Sequence, residues 1–218
     1  IGPASVAAYN AYMMCIELPN TKFMAMDARH CAGPDMHELM AYGASVGSKR
    51  AKQEVQAKGF IGSSCNSSAH FFESSKALGT MPHALIGYAG STLKAAQIYN
   101  KSFPKEKLAV LVDYFGNEVT DTLKVCNYFK GLVDNDKLFI RLDTHGGRYI
   151  EGLDIEKSYE VLEMYNPNSI RTYRNEQELK WLVGAGVSAA AIIHIRNILD
   201  SNGYKKVKII ASSGFNPA

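Results

Sequence analysis

The sequence predicts an α/β fold whose parallel strands close into a (β/α) barrel. Three observations predict it. Short apolar runs at Leu108–Val112, Leu138–Leu142 and Val207–Ala211 are rich in β-branched and aliphatic residues and have the length of buried parallel strands. Longer stretches with helical spacing lie between them, and strand followed by helix, repeated, implies a parallel sheet. Roughly six such units occur without the glycine fingerprint of a dinucleotide-binding open sheet, which favours closure into a barrel.

In chain order, the first residues from Ile1 read as helical, and Lys22–Met26 is a weaker strand candidate. Asp35–Lys58 reads as a helix with Met36, Leu39, Met40 and Val46 on one side and Lys49, Arg50, Lys52 and Glu54 on a charged face. Gly59–Gly62 is a second weak strand. After Leu108–Val112, the stretch Asn117–Leu132 spaces Val119, Leu123, Val125, Cys126 and Phe129 as a helix. Beyond Leu138–Leu142, Ser169–Tyr173 is a third weak strand. Asn175–Val183 opens on a capping Asn with Glu178 at the capping-box position, and Ser188–Asn202 is a long helix ended by Gly203. No Pro/Gly/Ser-rich linker divides residues 1–218, so they read as one domain. Both ends read as cut, and the chain is expected to be a piece of a longer one.

At 46% hydrophobic and 21% charged residues, the composition is that of a soluble globular protein. The net charge of +3 is carried by scattered Lys and Arg, with no run longer than Lys49-Arg50 or Lys205-Lys206. That excludes a dedicated nucleic-acid binder and suits a phosphate-rich small substrate. The most apolar run, Val187–Ile195, contains His194 and meets Arg196, so no membrane span is expected. Cys15, Cys31, Cys65 and Cys126 form no C-x-x-C pair, which points to free thiols in a reducing, cytoplasmic compartment.

In a barrel the C-terminal ends of the strands line the active site. Asp113 follows the first clear strand. Arg141 and Asp143 end the second, followed by Thr144, His145, Gly146, Gly147 and Arg148. Ser212, Ser213 and Gly214 follow the third, and Asp27, Arg29 and His30 follow Lys22–Met26. Charged and small polar residues at every end suit a polar, anionic ligand. Ser212-Ser213-Gly214 can hold a phosphate through hydroxyls and close backbone N–H groups, although such a tripeptide is more often a surface loop. Arg141 and Asp143 share a face of their strand. They form either a structural ion pair or an anion clamp beside an acceptor for sugar hydroxyls. His83, after Gly79-Thr80-Met81-Pro82, is by itself a residue that packs or caps.

Four segments together resemble the nicotinate phosphoribosyltransferase family of type II phosphoribosyltransferases. They are Met26-Asp-Ala-Arg-His30, Gly79-Thr-Met-Pro-His-Ala84, Arg141-Leu-Asp-Thr144 and Ala211-Ser-Ser-Gly214, with Leu111-Val-Asp-Tyr-Phe-Gly-Asn-Glu118 as a fifth. The resemblance implies the irregular (β/α) barrel of that kind, incomplete here at both ends. It implies transfer of phosphoribose from phosphoribosyl pyrophosphate to nicotinate in NAD biosynthesis, with substrate-bound Mg²⁺, with ATP as co-substrate, and in a homodimer. By the same resemblance His83 is the histidine phosphorylated by ATP, and Arg29 grips the pyridine carboxylate. Asp113, Arg141 and Asp143 surround the ribose and its pyrophosphate, Thr144 is a further substrate-binding residue, and Ser212, Ser213 and Gly214 hold the 5′-phosphate. His30 stands where many members carry a second arginine, and Ala84 where many carry a serine.

Other readings compete. A barrel metallohydrolase could draw ligands from His30, His37, His83, Asp113, Asp143 and His145, but His30 and His37 lack the i, i+4 spacing of two ligands on one helical face, and Pro34 interrupts them. A non-catalytic binding module is opposed by the chemically able residues at positions 29, 83, 141 and 143. Within the transferases, quinolinate calls for more arginines than Arg29, and neutral nicotinamide for less charge. Phe71, Phe72, Tyr88 and Tyr114 are as well explained by packing as by stacking on a pyridine. Lys208 reads as outward-facing.

The resemblance generates a kinetic expectation. Arg29→Ala raises the Michaelis constant for nicotinate far more than that for phosphoribosyl pyrophosphate, and a matching rise in both removes Arg29 from the carboxylate role.

Overall fold

The computed structural model describes residues 2–168 and 175–215, apart from the side chains of residues 29 and 177. The expected strand Ser169–Tyr173 lies outside the described residues. The sequence reads as one domain; by its contacts the chain divides into two compact units, Ile1–Gly79 with Phe215–Ala218, and Thr80–Gly214.

The first unit runs α1 (Gly2–Glu17), β1 (Lys22–Ala25), a 3-10 turn (Ala28–His30), α2 (Pro34–Val55), β2 (Gly59–Ser63), α3 (Asn66–Ala69) and a second 3-10 turn (His70–Phe72). β1 and β2 pair in parallel, Lys22 opposite Gly59 and Phe23 opposite Phe60, with the two phenylalanine rings stacked at 5.4 Å. The buried face of α2 differs from the sequence reading. Leu39 and Val46 are exposed, and the buried residues include Ala41, Gly43, Ala44, Gly47 and Ala51. The reason is the close approach of α1. A Cβ placed on Gly43 or Gly47 would collide with the backbone carbonyl of Ala4 or Ala8. Small residues one turn apart let the two helix backbones meet, and the contact selects size over hydrophobicity.

The second unit runs α4 (His83–Ala89), α5 (Thr92–Ser102), β3 (Leu108–Leu111), α6 (Glu118–Tyr128), α7 (Lys130–Asp134), β4 (Leu138–Leu142), α8 (Ile155–Tyr165), α9 (Glu176–Val183), α10 (Ala189–Ser201) and β5 (Lys208–Ala211). Its sheet has the order β3-β4-β5, all parallel, with Leu108 opposite Leu138, Val110 opposite Ile140, and Ile140 opposite Ile209. Every strand pair among the described residues is parallel, as the alternation of strand and helix predicts. β3 is buried along its whole length, and Leu138, Ile140 and Leu142 of β4 are sealed. A strand covered on both faces reads as a continuous apolar run, which is why these strands were legible. Helices α6 and α10 cover the sheet through Val125, Cys126, Ala191, Ile195 and Leu199.

The helix expected over Asn117–Leu132 breaks at Phe129, where the backbone leaves helical geometry, and resumes as α7. The break lets both Phe129 and Val133 enter the core. The expected caps are present. Asn175 accepts a hydrogen bond from the Glu178 N–H at 2.9 Å. Gly203, at a φ of +83° open chiefly to glycine, ends α10 while Tyr204 N–H returns to the Leu199 carbonyl. Lys208 points outward, as read, with its ammonium 5.6 Å from the centre of the Phe139 ring. Among the described residues no helix is long and apolar enough to cross a membrane.

The two kinds of glycine separate in a stability measurement. Gly47→Ala forces α1 from α2 and is expected to cost about 1–3 kcal/mol in urea unfolding, as overpacking does. Gly131→Ala, where nothing lies within 4 Å of the added carbon, is expected to stabilise by roughly 0.5–1 kcal/mol.

Candidate active site

β4 is the middle strand of its sheet, so a side chain at its C-terminal end is flanked by the ends of β3 and β5. Arg141 occupies that place and is 5% exposed. A guanidinium stays charged, so burial demands that its donors be met. Nη2 donates to Asp143 Oδ2 at 2.7 Å, and Nε donates to Ser212 Oγ at 2.8 Å. Nη1 reaches Thr80 Oγ1 at 3.3 Å and the Met81 carbonyl at 3.4 Å. Ser212 in turn donates its hydroxyl and its N–H to the Leu142 carbonyl. One side chain thus ties the ends of β4 and β5 to the segment that enters α4. Of the two sequence readings for Arg141 and Asp143, the geometry is the ion pair, extended by cross-links to two further segments.

Asp113 follows β3 and is 9% exposed. Its Oδ2 lies 3.1 Å from His83 Nε2, and its Oδ1 is buried without a hydrogen-bond partner among the described residues. A buried carboxylate oxygen with no donor is costly, typically about 1–3 kcal/mol, and a bound hydroxyl or cation removes that cost. His83 is the first residue of α4, entered through Pro82 in extended conformation. Its side chain is 35% exposed. With Nε2 held by Asp113, Nδ1 has no hydrogen-bond partner among the described residues.

A second buried carboxylate anchors the loop after β4. Glu118, fully buried at the start of α6, receives Thr144 Oγ1 at 2.9 Å, Arg148 Nη2 at 2.5 Å and the Glu151 N–H at 3.1 Å. A carboxylate in the first turn of a helix also meets the positive end of its dipole. Arg148 donates further to the Asp113 carbonyl at 2.8 Å, so the loop is fastened to the end of β3. Gly186, at a φ of +81°, donates to the Arg148 carbonyl at 2.7 Å; a side chain there would press on the Gly146 backbone.

The sequence-predicted residues therefore fall into groups. His83, Asp113, Arg141, Asp143 and Ser212 converge at the strand ends of the second unit. Thr144 lies beside them, but its hydroxyl is committed to Glu118. Ser213 and Gly214 follow β5 as exposed chain. Arg29 belongs to the Ala28–His30 turn of the first unit, and its side chain lies outside the described residues. The sequence reading missed the anchoring role of Glu118. The only signal was an acidic residue at the first turn of an apolar helix, and that usually marks a dipole partner on the surface. Together the strand ends offer an unmet carboxylate oxygen, a paired carboxylate, a serine hydroxyl, an imidazole and an exposed Ser-Gly backbone. This set suits a ligand carrying both hydroxyls and negative charge.

No protein-family model matches the sequence, and no curated protein does. Among solved structures, the crystal structure of a nicotinate-nucleotide pyrophosphorylase from Pyrococcus furiosus matches with a TM-score of 0.63 at 22% identity, over 99% of this chain and 42% of that one. The likeness is one of fold, and the chain spans under half the length of its neighbour.

Charge and fork geometry at Arg141 can be separated. Arg141→Met removes the buried guanidinium and its ion pair with Asp143 and is expected to cost about 3–5 kcal/mol of stability, as the loss of one partner from a buried pair does. Arg141→Lys keeps a charge for Asp143 but cannot also reach Ser212 and Thr80, and should cost less. Equal losses in urea unfolding would place the stabilisation in the cross-links.

Proposed function

We propose that this chain is the barrel portion of a phosphoribosyltransferase of NAD biosynthesis, one that joins nicotinate to phosphoribosyl pyrophosphate to give nicotinate mononucleotide and pyrophosphate, with ATP as co-substrate. The observation that carries the reading is the convergence of Asp113, His83, Arg141, Asp143 and Ser212 at the C-terminal ends of three parallel strands. The shared fold with an enzyme named for nicotinate nucleotide and pyrophosphorolysis supports it, as do the five sequence segments. The reading includes closure of the strands into the type II barrel, and a homodimer in the full-length protein.

The chemistry asks for positioning more than for a strong base. The pyridine nitrogen already carries the lone pair that forms the new bond to the anomeric carbon. The bond from that carbon to pyrophosphate breaks, and its electron pair leaves with the phosphate oxygen. Positive charge grows on the sugar in between, as in glycosyl transfer. Asp143, paired to Arg141 at 2.7 Å, places a carboxylate where that charge can be offset and ribose hydroxyls held. Asp113 Oδ1 offers an acceptor for a hydroxyl. The same oxygen fits a Mg²⁺ ion carried in on pyrophosphate, which when bound offsets charge on the leaving group. Arg141 acts as a positioning residue, since its nitrogens are spent on protein partners that set the places of Ser212, Asp143 and the 80–81 segment. Ser213 and Gly214 supply exposed hydroxyl and backbone donors for the 5′-phosphate. Arg29 serves the pyridine carboxylate.

His83 is the group for ATP. With Nε2–H directed at Asp113, Nδ1 holds the lone pair, and the carboxylate orients the imidazole for attack. Attack on the terminal phosphorus of ATP makes the P–N bond as ADP leaves. About two negative charges then stand at the entrance of α4 until water removes the phosphoryl group.

The test is mononucleotide formation by the full-length protein from phosphoribosyl pyrophosphate and Mg²⁺ with nicotinate, nicotinamide or quinolinate, each with and without ATP. Product from nicotinate, raised by ATP, is expected. His83→Ala should abolish the ATP stimulation and leave ATP-independent turnover. Equal loss of both would move His83 into the transfer step, and no product from any acceptor would overturn the reading.

A further inference from the structure

A second polar cluster lies inside the first unit, unused by the transferase reading. The 3-10 turn after β1 brings Asp27 and Cys31 to the first turn of α2, where His37 is 3% exposed. His37 Nδ1 lies 3.2 Å from Asp27 Oδ2, and Cys31 Sγ lies 3.3 Å from the same oxygen. One ligand atom from each of the three falls within 4.8 Å of the others. A tetrahedral ion bound at about 2.0–2.3 Å to N, O and S sets ligand edges of about 3.3 Å between N and O and about 3.6 Å to sulfur. Two of the edges therefore stand close to coordination spacing already.

The surroundings of His37 match a ligand more closely than a core histidine. Its Nε2 lies 2.8 Å from Ser68 Oγ, which is within reach of Ser63 Oγ at 2.6 Å and the Cys65 carbonyl at 3.3 Å. With the proton on Nε2, Ser68 Oγ accepts that hydrogen bond and its hydroxyl donates to the Cys65 carbonyl, leaving the Nδ1 lone pair directed at the cluster. Outer hydrogen bonds of this kind fix the tautomer of a metal-bound imidazole. A divalent cation at the centre of the cluster would take the place of the thiol proton and offset the Asp27 carboxylate.

We propose that Asp27, Cys31 and His37 form a binding site for one thiophilic divalent cation of the zinc class, with a fourth position for water. The donor set selects the ion. Sulfur and imidazole favour zinc or cobalt, whereas magnesium and calcium take oxygen ligands. Asp27, with 26% of its side chain exposed, gives water its access. The site differs from the one weighed in the sequence. There His30 and His37 failed on spacing; here the ligands come from the end of β1, the 3-10 turn and α2, which only the fold brings together. The proposal is independent of the transferase reading.

The test uses the full-length protein, stripped with chelator and titrated with Co²⁺. A thiolate-to-cobalt charge-transfer band is expected, displaced by Zn²⁺ and unaffected by Mg²⁺. Cys31→Ser should remove the band, and Cys65→Ser should keep it. Ser68→Ala should keep it with affinity weakened about 10–100-fold, as loss of an outer-shell partner does. On the unaltered protein, Zn²⁺ should protect Cys31 from alkylation as mapped by peptide mass, a readout that needs no variant to fold. No band at millimolar Co²⁺, a band that survives Cys31→Ser, or alkylation of Cys31 indifferent to Zn²⁺ overturns the proposal.

Discussion

The buried guanidinium of Arg141 is the constraint from which the second unit's polar end is organised. It sits at the end of the central strand, where charge cannot be solvated, so the chain must bring partners to it. Those partners come from the strand's own extension, from the end of β5 and from the approach to α4. The result is a set of segments far apart in sequence, Thr80 to Ser212, held at fixed spacing by one planar fork. A lysine has neither the reach nor the geometry to do this. The site's precision thus has an electrostatic origin, and the apolar strands beneath it supply the rigidity.

Around that centre two carboxylates are treated differently, and the difference separates structure from chemistry. Glu118 is saturated: a hydroxyl, a guanidinium and a backbone N–H satisfy it, and the loop after β4 is pinned as a consequence. Asp113 is left half satisfied, one oxygen on His83 and the other buried with no donor among the described residues. Folding alone gives no reason to keep an unmet oxygen where a saturated neighbour shows that donors can be supplied. Arg148 links the two, since it binds Glu118 with a side-chain nitrogen and also donates to the Asp113 backbone.

The first unit rests on a different principle. There α1 and α2 approach so closely that Gly43 and Gly47 admit no Cβ. Leu39, Tyr42 and Val46 of α2 are exposed instead. The start of α2 then meets the 3-10 turn after β1, and three side chains with metal-binding chemistry arrive at one place. Neither arrangement follows from hydrophobicity along the helix.

The sequence by itself determined the class of fold. Runs such as Leu108–Leu111 and Leu138–Leu142 are apolar throughout because both faces of a parallel strand are covered, and that pattern needs no partner to be recognised. Local signals also survived unaided: the Asn175 cap, the Gly203 stop, and the alternation that puts Arg141 and Asp143 on one face. Tertiary structure decided the rest. The division of the chain into two units, the break at Phe129 and the small-residue face of α2 depend on what packs against each element. So do the saturation of Glu118 and the gathering of Asp27, Cys31 and His37. Spacing along a chain specifies neighbours only within a helix or a strand, and contacts between elements are set by shape and by the need to pair buried charge, which no single stretch of sequence records.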